Sequence, residues 1–106
     1  MTTLEKIKRL EEYLSMGSST VDPVIDIALD KLLKREITRM SELKTRLTDQ
    51  LKEFEKKYSL SSPEFYARYE SGQMGDEMDF VEWAATVEML TNVEKQMDLL
   101  PKEIDS

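Results

Sequence analysis

The sequence of 106 residues contains no cysteine and no histidine, and only three glycines, three prolines and one tryptophan. Without cysteine there is no disulfide framework and no thiolate metal site. Without histidine the commonest metal ligand and the usual neutral-pH general base are both missing. Histidine-based triads and ordinary zinc chemistry are thereby excluded. The opening stretch MTTLEKIKRLEEYL mixes apolar and charged residues throughout, unlike a secretory leader or a membrane span. The expectation is a cytoplasmic protein without membrane association. The length suits one structural unit. A single helical domain over residues 1–106 is therefore expected, with a helical hairpin at 1–58 and an acidic helical region at 62–100.

The net charge of −7 is unevenly placed. Residues 1–60 hold 12 Lys/Arg against 11 Asp/Glu, whereas residues 61–106 hold 3 against 11. The acidity belongs to the C-terminal half. Phosphate neutralisation supplies most nucleic-acid affinity, so a net acidic chain is a poor binder of nucleic acid and a better match for a basic protein.

Leu4, Ile7, Leu10 and Leu14 recur at the spacing of one helical face, with Thr2 or Thr3 as caps and Gly17 as a stop. A first helix over about residues 3–15 follows, then a turn at Gly17-Ser18-Ser19-Thr20. Asp22-Pro23 supplies a capping side chain and a proline at the first helical position. From Pro23 to Tyr58 no further proline or glycine occurs, and Ile25, Leu29, Leu32, Met40, Leu43, Leu47, Leu51, Phe54 and Tyr58 form a stripe broken by Glu36. The mean step of about 3.67 residues predicts a nearly straight helix over about 22–58, roughly 50 Å long. Such a helix needs apolar cover, either from flanking helices or from a second copy of the chain. Its other face carries a run of lysines and arginines interleaved with acids, which reads first as a solvated surface and second as a nucleic-acid contact.

Ser62-Pro63-Glu64 repeats the helix-start signal, and a short helix bearing Phe65, Tyr66 and Tyr69 should end near Gly72. A last helix over about 77–99 should follow, capped by Asp76 and stopped by Pro101. The fold class expected is all-α, a helical hairpin or bundle built on the long central helix with a short helix and a second long C-terminal helix.

Residues 62–83 hold five of the eight aromatic residues and two of the three glycines. Asp76, Glu77, Asp79 and Glu82 are dense enough to suggest magnesium or calcium, but the calcium-loop spacing is missing and helix-start electrostatics or partner contact explain them better. No metal site, cofactor or catalytic residue is assigned. Phe65, Tyr66, Tyr69, Phe80 and Trp83 suit either a core or an interface. A helical metal-dependent hydrolase using these carboxylates is the enzymatic alternative.

The pattern Ser62-Pro63-Glu64-Phe65-Tyr66, Arg68-Tyr69, Gly72, Gly75-Asp76, Asp79-Phe80, Glu82-Trp83 resembles the C-terminal block of small archaeal and bacterial antitoxin-like proteins encoded beside small toxins. The resemblance covers about residues 58–92. It implies a noncatalytic protein that neutralises a small, basic cognate toxin, with Tyr66, Tyr69, Asp76, Glu77, Asp79, Phe80, Glu82 and Trp83 at the partner surface. The N-terminal hairpin lies outside the resemblance and carries no recognisable DNA-binding element. It suggests a homodimer formed through the long helix, and a dimeric helical scaffold is the alternative function.

Overall fold

The computed structural model describes residues 1–17 and 22–102, which form four helices and no strand: α1 (Thr3–Met16), α2 (Pro23–Tyr58), α3 (Ser62–Glu70) and α4 (Met78–Asp98). The all-α fold on one long and one shorter C-terminal helix is as the periodicity predicts. Most of the turn expected after Gly17 lies outside the described residues. The chain divides into two compact units, Met1–Leu32 and Leu33–Ser106. The division falls within α2 rather than in the turn after Tyr58, because the second half of α2 carries the side chains that cover α3 and α4.

In the first unit, the Thr2 hydroxyl caps α1 by accepting the Glu5 N–H at 3.1 Å, and Gly17 closes it. Asp22 accepts the Val24 N–H at 2.9 Å and so caps α2. No residue of α1 is buried. Leu4 and Ile7 are 63% and 54% exposed, and on α2 Val24 and Ile27 are 73% and 54% exposed.

In the second unit, the α2 stripe goes under cover: Leu47 and Leu51 are buried, and Phe54 and Tyr58 are half-buried. The helix ends in a left-handed turn at Ser59 (φ 51°), from which the Leu60 N–H reaches back to the Glu55 carbonyl. Ser61, one residue before the expected Ser62, caps α3 by accepting the Glu64 N–H at 3.3 Å. At the far end of α3 Gly72 (φ 80°) makes the same kind of closure, its N–H bonding to the Tyr69 carbonyl and that of Gln73 to the Arg68 carbonyl. Only φ constrains Gly72, since an added Cβ would meet nothing within 4 Å.

Asp76 does not cap α4, contrary to expectation. Glu77 occupies the cap position without a side-chain bond, and the first acid of the helix, Asp79, is drawn away to α2.

Candidate functional site

Trp83 organises the second unit. It is 0% exposed, as is Phe65, and their parallel rings stack with centroids 3.8 Å apart. Phe54 and Tyr58 of α2 also stack on Trp83, at 5.5 and 5.7 Å. Four aromatic side chains thus join three helices. The indole N–H donates to the Ser62 hydroxyl at 3.0 Å, so the ring is buried without an orphaned donor. Trp83 was expected at the partner surface; that assignment is corrected, because a large apolar ring with its single polar atom satisfied belongs in the core. Phe80 and Tyr69 are half-buried and lean the same way, Phe80 against Tyr58 (5.2 Å) and Phe65 (5.8 Å), Tyr69 against Phe65 (5.7 Å).

Ser62 is used twice. Besides accepting from Trp83, it donates its backbone N–H to the half-buried Glu55 carboxylate at 2.7 Å. Glu55 therefore supplies from α2 the negative charge that the N-terminus of α3 favours.

Asp79 is also committed within the chain. Its Oδ2 accepts from Lys57 Nζ and from the Tyr58 hydroxyl, each at 2.6 Å. The hydrogen-bonded Lys57 ammonium, with Tyr58, holds the Asp79 carboxyl below its ordinary range. Asp79 in turn raises the pKa of both Lys57 and Tyr58. The expectation of Asp79 at the partner surface is thus corrected, since its carboxylate is held by its own chain's Lys57 and Tyr58. Asp76, Glu77 and Glu82 remain exposed and form no ion pair among the described residues. No three carboxylates among those residues converge into a metal-ligating group, and no described helix is long and apolar enough to cross a membrane.

Tyr66 stands apart from the core rings. It is half-buried, and its hydroxyl donates to Glu88 on α4 at 2.8 Å. Hydrogen bonding to the carboxylates of Glu70 and Glu88 raises its pKa well above the ordinary tyrosine value, because ionisation would remove the proton that the hydroxyl donates. The Tyr66 ring borders a groove of about 580 Å³ with Leu51, Lys52 and Glu55 from α2, Ser62 and Pro63 from α3, and Val87, Leu90, Thr91 and Glu94 from α4. A hollow of about 330 Å³ adjoins it, sharing Tyr66, Val87 and Thr91 and adding Glu88 and Asn92.

Of the eight residues singled out from the sequence, only Tyr66 lines this groove. The pairings Ser62–Trp83, Glu55–Ser62, Lys57–Asp79 and Tyr66–Glu88 join residues 7 to 22 positions apart. No local pattern marks them, although the helical phase of Val87, Leu90 and Thr91 signals a shared face of α4. No family model matches the chain, no curated protein matches it and no solved structure matches it.

Proposed function

We propose that the chain is a noncatalytic, antitoxin-like module that binds a small basic toxin protein and neutralises it by covering a basic surface. The observation that carries this reading is the unanswered negative charge of the second unit. Asp76, Glu77 and Glu82 are exposed and without an ion-pair partner among the described residues, in a region with 3 basic residues against 11 acidic ones. Unpaired surface carboxylates raise the rate of encounter with a cationic partner more than the final affinity. Trp83 and Asp79 serve the surface indirectly, by fixing the helices that present it.

The test is co-purification with the product of the adjacent gene, followed by association kinetics at low and high salt. Asp76→Asn, Glu77→Gln and Glu82→Gln combined should slow association about tenfold at low salt, with the difference shrinking as salt screens the charges. An unchanged association rate in the triple variant would sink the steering role.

A dimeric helical scaffold is the second reading, favoured by the exposed Leu4, Ile7, Val24 and Ile27 of the first unit. Long amphipathic helices hide such faces by pairing with a second copy, and this would place a homodimer contact on the N-terminal half.

A further inference from the structure

We infer that the groove bordered by Tyr66, between the second half of α2, the start of α3 and α4, is a docking site for a cationic amphipathic helix of a partner protein. Apolar side chains of that helix would sit over Leu51, Val87 and Leu90, and its basic groups would be held by Glu88 and Glu94. The inference rests on the partner-binding reading above and gives the partner a second point of contact, away from the 76–82 segment that the sequence motif marks.

Three features fix the chemistry of the occupant. The floor is apolar around Leu51, Val87 and Leu90, and the polar groups nearest it are already used: the Ser62 hydroxyl accepts from Trp83, the Glu55 carboxylate accepts from the Ser62 N–H and the Thr91 hydroxyl donates to the Val87 carbonyl. The free polar groups, on Thr48, Lys52 and Glu94, belong to the two long helices that flank the floor. The rim is acidic. Glu88 and Glu94 form no ion pair among the described residues, and Lys52 is the one base lining the groove. A neutral or acidic occupant would strip water from these carboxylates without replacing it, which is costly. A cationic one converts them into charge-assisted hydrogen bonds.

The walls, finally, are helical, with no strand among the described residues. An extended peptide would have no sheet edge to join, so a helix seated in the groove is the recognition mode that fits. Glu88 and Glu94 stand six positions apart, a rise of about 9 Å along α4, so they would take basic side chains from the two ends of a short docked segment. The chain's own α1 is a poor candidate, because Lys6, Lys8 and Arg9 are balanced by Glu5, Glu11 and Glu12.

The test uses the intact chain and a display library of amphipathic helical peptides with randomised apolar and charged positions. Thr91 borders both hollows and is exposed, so Thr91→Arg adds bulk and positive charge to the groove without touching the core. Peptides enriched on the natural chain should carry Lys or Arg beside apolar positions three and four apart. They should lose at least tenfold in affinity on Thr91→Arg and about threefold on Glu88→Gln with Glu94→Gln, and shift the backbone amides of residues 87–94 in NMR spectra. Enrichment of uncharged or acidic peptides, affinity indifferent to Thr91→Arg, or no enrichment at all would overturn the proposal. Self-association abolished by Thr91→Arg would also overturn it, by assigning the groove to a second copy. No product of the neighbouring gene takes part. A toxin-like neighbour that binds normally to Thr91→Arg would therefore keep the antitoxin reading and discard the groove.

Discussion

The two ends of α2 carry one apolar stripe and have opposite fates. Near its C-terminal end Leu51, Phe54 and Tyr58 pack with Phe65 and Trp83, whereas Leu29 and Leu32 of the same stripe are 37% and 48% exposed. Periodicity therefore specifies which face of a helix is apolar but not whether anything covers it. The cover is supplied by aromatic side chains, which are abundant in residues 54–83 and scarce in residues 1–32, where Tyr13 stands alone.

The largest effect that would break this contrast is at Trp83. Trp83→Ala should cost about 3–5 kcal/mol through the cavity and the lost stacking, read by circular dichroism in urea. Ile7→Lys with Ile27→Lys, the mirror change in the other unit, should leave the stability of dilute protein within about 0.5 kcal/mol. That double variant should also abolish any dimer seen by sedimentation velocity. A large loss of stability in the dilute double variant would mean that the first unit has a core after all.

Ser62→Ala comes next. It leaves the buried indole N–H without its acceptor and should cost about 1–3 kcal/mol, although Ser62 has an ordinary helix-start appearance in sequence. A neutral result in chemical denaturation would show that another acceptor replaces the hydroxyl.

The smallest effect concerns the tie between Asp79 and Lys57. The carboxyl of Asp79 is depressed in the folded chain, so its contribution is present above the unfolded-state carboxyl pKa of about 4 and disappears as pH falls through the lower folded value. The raised Lys57 contributes below its ordinary 10.5 and loses that contribution as pH rises through its folded value. Asp79→Asn should therefore melt lower than the natural chain at neutral pH, and the gap should close as pH falls through the lowered Asp79 value. A gap that persists in strong acid would point to packing rather than charge.

Much of the fold was legible from residue order. The apolar stripe and the proline starts locate the four helices within a residue or two, because caps and periodicity are local and act over three or four positions. Even here one local signal was misread. Asp76 looks like a cap, but Glu77 takes the cap position and α4 begins at Met78. The candidate surface was less legible. Asp79 and Trp83 have the residue types of an interface, and their partners inside the chain, 21 and 22 positions away, change their role.

Residue order by itself determined an all-α chain, the reach of its helices and the concentration of acid in its second half. Each follows from short-range sterics, capping and composition. Only the tertiary structure decided which aromatic rings are core, which carboxylates already have a cation, and where Leu51, Val87 and Leu90 leave a groove beside unpaired acids. Those outcomes depend on which side chains meet across helices, and burial changes the meaning of a ring or a charge more than its neighbours in sequence do.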